Sequence, residues 1–127
     1  MITVLLIAVG GATGALARYF LINFAQQRIT HEVMGVPLST LVVNVVGSIC
    51  IGALYVLLIE RLQLSPEWRH FVMVGFLAAF TTFSTFALDT VHMLEAGHHS
   101  EAFIYIIASM SLCVLGCWLA IVTARLL

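Results

Sequence analysis

Long apolar segments alternate with short polar linkers along the chain. Four segments are apolar enough, and long enough at about 20 residues each, to cross a bilayer as helices. They cover residues 2–26, 38–59, 70–94 and 102–125. The pattern therefore predicts an all-α membrane protein with four transmembrane helices. Because the linkers are short, we expect residues 1–127 to form one transmembrane domain with no separate soluble part.

Composition supports this class of protein and excludes others. Of the 127 residues, 62% are hydrophobic and 9% are charged, whereas charged residues make up about a quarter of a soluble domain. The formal net charge of −1 argues against nucleic acid as a partner. No basic residue precedes the first apolar segment, so we expect a retained span rather than a cleaved signal peptide. The three cysteines lie in apolar runs and are interpreted as free thiols.

The arginines give little information about orientation. With four spans, one side of the membrane carries Arg61, Arg69 and Arg125. The other side carries Arg28 and Arg18, and Arg18 lies late in the first span. Three against two is a weak bias under the positive-inside rule. Both a fixed orientation and insertion in both orientations, with pairing of inverted copies, stay open.

The linkers and the first span carry local signals. Gly35 and Gly97 predict turns, and Ser65 before Pro66 predicts a helix N-terminus with Ser65 as its N-cap. In the first span, small residues at positions 10 and 14 predict close helix packing. Arg18 is costly in a membrane unless it snorkels, is paired or faces water. It is interpreted either as a snorkelling or packing residue or as a vestibule arginine that attracts anions.

Polar side chains recur at helical spacing within three of the spans. A lipid-facing helix has no need of them, because each loses water on entering hydrocarbon and requires a partner. They either bond to neighbouring helices or line a polar pathway, and the spacing fits both. They are Thr40, Asn44 and Ser48 in the second span, Thr81, Thr82, Ser84 and Thr85 in the third, and Tyr105, Ser109 and Cys113 in the fourth.

The third span contains both aromatic and acidic candidates. On an unbroken helix, Phe76, Phe80 and Phe83 would form one stripe, and the residues alone do not indicate a break. Near the end of the span, Asp89 and His92 adjoin further histidines and acids of the next linker. This group is interpreted as a solvated cluster at the membrane interface, with a metal or proton site as the alternative.

The absence of a carboxylate at the centre of any span separates classes of transporter. Cation pores and proton-coupled exporters usually place an acidic residue there. Hydroxyl and amide donors, together with the positive edges of phenylalanine rings, suit a small hard anion stripped of water. The sequence contains no catalytic triad, zinc helix or phosphate loop, so we expect no enzyme. A small multidrug-type four-helix exporter and a non-transporting membrane assembly subunit stay open as alternatives.

Three segments carry the motifs of a known family. They are the run from Gly11 to Tyr19, the run from Asn44 to Ser48, and Gly75-Phe76 followed by Thr81 to Phe86. Their order and spacing resemble the Fluc/CrcB fluoride channels over the whole chain. The resemblance implies a four-helix channel that exports fluoride passively across the bacterial cytoplasmic (inner) membrane. It also implies an antiparallel, dual-topology homodimer with two pathways, in which the third helix is broken near its middle.

The resemblance also implies roles for particular residues. Backbone carbonyls of Ala78 and Thr81 would hold a structural sodium ion at the dimer centre, and Arg18 would lie in a vestibule or pack between helices. Two departures from the family pattern stand out, since glycine is common where Ala78 and Ala79 stand, and serine is common at Cys113. The implied fluoride pathway comprises Thr40, Asn44, Phe83, Ser84, Thr85, Phe86, Tyr105 and Ser109.

Overall fold

The computed structural model describes residues 1–28 and 36–127, so the turn predicted at Gly35 lies outside the described residues. Helix α1 is Ile2–Arg28, and α2 is Leu38–Leu54 with a π-helical continuation at Tyr55–Arg61. Helix α3 covers residues 66–80, with α-helical ends Pro66–Arg69 and Ala78–Phe80 around a π-helical middle, His70–Leu77. Helix α4 is Phe83–Glu95, and α5 is His99–Leu126.

These helices form four segments that are long and apolar enough to cross a membrane, which confirms the predicted all-α class. The segments are Ile2–Arg28, Leu38–Arg61, Pro66–Glu95 and His99–Leu126. Each is a few residues longer than the sequence pattern predicts, because the polar residues at their ends continue the helical backbone. Gly97 has a φ of +83°, which confirms the turn predicted there. Ser65 does occupy the N-cap position of α3, but its side chain makes no capping hydrogen bond.

Helices α1 and α3 pack closely through glycines, as the small residues of the first span predict. Gly10 and Gly14 are buried on α1. A Cβ atom placed on Gly14 would lie within 3.0 Å of three backbone atoms of Phe76, so α3 lies directly against this face. This contact fixes the first half of the third span against α1.

Helices α2 and α5 meet at the ends of their spans. Arg125 donates from Nε and Nη2 to the two carboxylate oxygens of Glu60, at 3.0 and 2.6 Å. Arg61 donates from Nη2 to the Arg125 carbonyl at 3.3 Å. The end of the second span and the end of the fourth therefore lie on one side, as four consecutive crossings require.

Much of the outer surface is apolar. Large aliphatic and aromatic side chains project outward along α1 and α5, where a soluble protein would place charges. Such a surface suits the hydrocarbon of a bilayer or another apolar protein face. Examples are Val4, Leu16, Phe20, Ile104, Leu115 and Trp118.

The α1–α3 contact gives a testable prediction. We expect Gly14→Ala to destabilise the protein by about 1–3 kcal/mol, because the added methyl group meets rigid backbone rather than a movable side chain. Gly11→Ala is the matched control, since nothing lies within 4 Å of a Cβ at that position. Thermal unfolding of the two purified variants in detergent measures the difference. Equal melting temperatures would show that α1 and α3 separate without cost.

Candidate functional site at the helix break

The third span is interrupted at Thr81 and Thr82. Helix α3 ends at Phe80 and α4 begins at Phe83, and the intervening residues have extended backbone (φ −82°, ψ 158° and φ −149°, ψ 111°). The break implied by the family resemblance is therefore confirmed, although neither glycine nor proline occupies it. The stripe that Phe76, Phe80 and Phe83 would form on an unbroken helix is therefore absent. Phe76 and Phe80 stack on α3, with ring centroids 6.1 Å apart, whereas Phe83 belongs to α4.

Asn44 on α2 holds the break in place. Its Nδ2 donates to the Thr82 carbonyl at 3.0 Å, and its Oδ1 accepts from the Thr82 N–H at 2.8 Å. One side-chain amide therefore satisfies both backbone groups of a residue that has left the helical pattern, where unpaired groups are costly away from water. Gly47 allows the close approach, since a Cβ there would collide with the Thr81 side chain.

Thr82 is the N-cap of α4, a role that the sequence reasoning did not assign. Its Oγ1 accepts from the Thr85 N–H at 3.2 Å and lies 3.0 Å from Thr85 Oγ1 and 3.3 Å from Ser84 Oγ. Such N-caps typically contribute about 1 kcal/mol to helix stability. The one available signal is a hydroxyl residue three positions before another, which is weak within a span that reads as a continuous helix.

The break leaves several carbonyl groups without their usual donors, including the two that the family resemblance implies as sodium ligands. In a continuous α-helix the Ala78 and Thr81 carbonyls would accept from the N–H groups four residues later, those of Thr82 and Thr85. Those N–H groups instead bond to side-chain oxygens, and neither carbonyl accepts a backbone hydrogen bond within residues 1–28 and 36–127. Carbonyls freed at a helix break are typical ligands of Na⁺ in membrane proteins. The free carbonyl oxygens of Ala78 and Thr81 are therefore suitable ligands for a small hard cation such as Na⁺.

The two helix ends at the break carry opposite partial charges. The C-terminus of α3 at Phe80 presents carbonyl oxygens and the negative end of a helix dipole. The N-terminus of α4 at Phe83 presents N–H groups and the positive end, which favours anions. One interruption thus creates adjacent positions that suit a cation and an anion.

A cavity of about 520 Å³ lies beside the break. It brings together polar groups of the second, third and fourth spans with the two residues whose carbonyls are free. Asn44, predicted either to bond a neighbouring helix or to line a pathway, bonds to Thr82 of the third span and also lines this cavity. The polar and aromatic lining residues are Asn44, Ser48, Thr81, Thr82, Phe83, Phe86, Ser109 and Cys113.

A smaller cavity of about 300 Å³ lies nearer the start of α2 and contains Thr40, Thr85 and Asp89. Thr40 Oγ1 donates to Asp89 Oδ2 at 2.8 Å. Asp89 therefore belongs to a polar lining, whereas the sequence placed it in a solvated interface cluster. The alternative of a metal site is not supported, because the described residues contain no group of three or more histidine, cysteine or acidic side chains that could hold a metal ion.

Aromatic rings pack together at and beside the larger cavity. Phe86 and Tyr105 are 8% and 1% exposed, and their ring centroids lie 5.2 Å apart. The Phe83 ring centroid lies 5.4 Å from that of Phe86, but Phe83 is 71% exposed, so its ring projects outward from the chain. Of the two phenylalanines implied by the resemblance, Phe86 is therefore buried and Phe83 is exposed.

Two buried hydroxyl groups on α5 have no hydrogen-bond partner in the part of the chain that the structure describes. They are Tyr105 Oη and Ser109 Oγ, and Ser109 is 6% exposed. Buried hydroxyl groups without partners are rare and costly. Both lie on the polar side of α5 expected from their i, i+4 spacing, and Tyr105 Oη lies close to the Thr40 hydroxyl and the Asp89 carboxylate.

Arg18 stands apart from this arrangement. It is half-buried on α1, lines neither cavity, and makes no ion pair or side-chain hydrogen bond to any described residue. The structure therefore does not bring it together with the other predicted site residues. Cys113, in contrast, lines the larger cavity one helical turn beyond Ser109.

Comparison with known proteins places the chain in a family. Residues 5–121 match the family model described as CrcB-like protein, Camphor Resistance (CrcB). A relative from Saccharophagus degradans is 43% identical over 93% of this chain and 86% of its own length. Relatives from Coxiella burnetii (strain Dugway 5J108-111) and Geobacter sulfurreducens are 38% and 39% identical, and the matches cover 96% and 98% of this chain and 97% and 98% of theirs. All three relatives carry the name fluoride-specific ion channel FluC.

The match includes the second and third membrane-spanning segments, most of the first and fourth, and the break between α3 and α4, so it extends over the architecture and not only over one motif. The chain therefore belongs to the CrcB family of multi-pass membrane proteins.

Proposed function

We propose that this chain is a fluoride channel that conducts the anion passively across a bacterial cytoplasmic membrane. The observation that carries the proposal is the buried hydroxyl group of Ser109, which has no hydrogen-bond partner among the described residues and lines the larger cavity together with Thr82 and Phe83 at the N-terminus of α4. Membership of a family whose relatives bear the name fluoride-specific ion channel supports the choice of anion. A pathway of donors requires no energy source, because a membrane potential that is negative inside drives the anion outward.

Fluoride is the anion that such a lining fits best. It is small and strongly hydrated, so it enters a narrow site only where donors replace its water. Hydroxyl hydrogens, an amide N–H and the positive edges of aromatic rings supply that replacement. A larger halide would be excluded by size and by its weaker hydrogen bonds. The proposed pathway comprises Thr40, Asn44, Phe83, Ser84, Thr85, Phe86, Tyr105 and Ser109.

The channel is proposed to be an antiparallel homodimer of copies inserted in opposite orientations, with two pathways. The outward projection of Phe83 supports this arrangement, because a ring that is 71% exposed on one protomer is available to complete the lining with a partner. The weak arginine bias of the linkers is compatible with insertion in both orientations. In this arrangement Arg18 would lie in a vestibule or pack between helices.

A sodium ion is proposed at the centre of the dimer. The Ala78 and Thr81 carbonyls would hold it, and both residues line the larger cavity. Alanine at position 78 does not weaken the fit, since the ligand is the backbone oxygen and the side chain contributes no donor. When bound, the ion supplies positive charge that offsets the carbonyl dipoles at the end of α3.

Reconstitution tests the channel itself. We expect liposomes that contain the purified protein to release fluoride rapidly, and little chloride, once a potassium ionophore is added. The ionophore lets K⁺ leave with the anion, so no opposing membrane potential builds up. A fluoride electrode follows the efflux, and protein-free liposomes set the background. Absence of electrogenic fluoride efflux from folded protein would overturn the proposal. It would favour a non-transporting assembly subunit, whereas efflux that requires a proton gradient would favour an exporter.

The exposed ring gives a second prediction. We expect Phe83→Ile to reduce fluoride efflux at least tenfold, an effect of about 1.4 kcal/mol or more on the barrier, because isoleucine has no electropositive edge. Folding should be little affected, since the ring is 71% exposed. Phe103→Ile is the matched control, because Phe103 is 65% exposed on α5 and lines neither cavity. Normal efflux from Phe83→Ile would remove the ring from the pathway.

The cysteine in the larger cavity gives a third prediction. A small methanethiosulfonate reagent should block fluoride efflux by attaching a group to the Cys113 thiol beside the pathway. Neither Cys50 nor Cys117 lines the cavity, so a Cys50→Ser/Cys117→Ser double variant should still be blocked. Cys113→Ser should conduct and resist the reagent. Block of Cys113→Ser, or efflux that persists in a fully modified double variant, would place the thiol outside the pathway.

A further inference from the structure

We propose that Thr82 is a positioning residue for the cation site, acting together with Asn44. Thr82 would not bind the ion. Its hydroxyl group and the Asn44 amide would keep the Ala78 and Thr81 carbonyls free by taking up the two N–H groups that would otherwise bond to them. The inference rests on the proposed sodium site and assigns a role to a residue outside the family's implied ligand set.

The first step concerns the Ala78 carbonyl. Its donor in a continuous helix would be the Thr82 N–H. That N–H instead lies 2.8 Å from Asn44 Oδ1, while Asn44 Nδ2 donates to the Thr82 carbonyl at 3.0 Å. The paired bonds fix the Thr82 peptide groups against α2, so the N–H group is held away from Ala78.

The second step concerns the Thr81 carbonyl. Its helical donor would be the Thr85 N–H, which lies 3.2 Å from Thr82 Oγ1. The Thr82 hydroxyl is therefore the acceptor that replaces the Thr81 carbonyl. Hydroxyl groups of Thr85 and Ser84, at 3.0 and 3.3 Å, keep it oriented.

The Leu77 carbonyl, one residue before Ala78, shows what happens without such capture. It accepts from the Thr81 N–H at 3.1 Å and from Thr81 Oγ1 at 3.1 Å. The Leu77 carbonyl therefore accepts two hydrogen bonds, whereas the adjacent Ala78 carbonyl accepts no backbone hydrogen bond among the described residues. At Ala78 and Thr81, the side chains of Asn44 and Thr82 take up the N–H groups that would otherwise bond to the carbonyls.

Loss of the Thr82 hydroxyl has a defined consequence. With no side-chain acceptor, the Thr85 N–H is left unpaired while Thr82 keeps its extended backbone. A helical backbone at Thr82, in which that N–H bonds to the Thr81 carbonyl, then becomes more favourable relative to the broken form by the lost N-cap energy. The Thr81 oxygen is then shared between that N–H and the cation. Sodium binding should weaken by roughly fivefold, the factor that corresponds to one N-cap hydrogen bond.

Sodium-dependent thermal stability tests the inference without any measurement of fluoride. Purified protein is melted in detergent across a sodium chloride titration, with N-methylglucamine chloride holding the ionic strength constant. Thr82→Val, which removes the hydroxyl at nearly constant shape, should raise the sodium concentration at half-maximal stabilisation roughly fivefold. Thr82→Ser, which keeps the hydroxyl, should restore the wild-type value.

Thr90→Val is the matched control. Thr90 lies on the same helix and its buried hydroxyl donates to the Phe86 carbonyl at 2.8 Å, but it takes up no N–H group of the break. This variant should melt at a lower temperature with an unchanged sodium midpoint. If Thr82→Val does not fold, Thr82→Gly provides the same test, because glycine is tolerated at N-caps and lacks the hydroxyl.

The outcomes distinguish the inference from the proposals on which it rests. An unchanged sodium midpoint in Thr82→Val, or in Thr82→Gly where that variant replaces it, against a responsive wild type would overturn the positioning role alone. Equal midpoint shifts in Thr82→Val and Thr90→Val would overturn it too, because they would indicate general loosening. No sodium response in the wild type would overturn the cation site together with the inference, while fluoride efflux from liposomes would still uphold the channel.

Discussion

The structure depends on one reciprocal interaction, in which the Asn44 amide pairs with both backbone groups of Thr82. A helix interrupted inside a membrane exposes N–H and carbonyl groups that hydrocarbon cannot satisfy. The Asn44 side-chain amide supplies one donor and one acceptor, as the backbone of a neighbouring β-strand would. The interruption is therefore stable without glycine or proline, and its position is set by a residue on a different span.

The other features of the site follow from that interruption. It turns one long helix into two, and so places a carbonyl-bearing end next to an N–H-bearing end at the same depth. It also lets Phe83 and Phe86 leave the line of Phe76 and Phe80, so that one ring faces the Tyr105 side chain and the other faces outward. Ser109 of α5 then lines the same cavity as Phe83 at the positive end of α4.

Some of this could be predicted from the sequence and some could not. The four spans follow from local hydrophobicity, and the polar face of α5 follows from i, i+4 spacing, since both depend only on residues close in the chain. The break depends on Asn44 and Thr82, which are 38 residues apart, and only the family resemblance implied it. Asp89 was assigned to a solvated cluster because its partner Thr40 lies 49 residues away. Contacts between residues of different spans leave no periodic pattern in the sequence from which they could be predicted.

The acidic side chain of Asp89 makes the smaller cavity chemically different from the larger one. On the proposed pathway, an anion that passes Thr40 also passes this acidic group, whereas the larger cavity has no acidic residue in its lining. A single pathway of this kind would pass current more easily in one direction than in the other. In the proposed antiparallel pair each membrane face presents one end of each type. The directional preference of one pathway is then offset by that of its inverted neighbour, so the pair would conduct equally well in both directions.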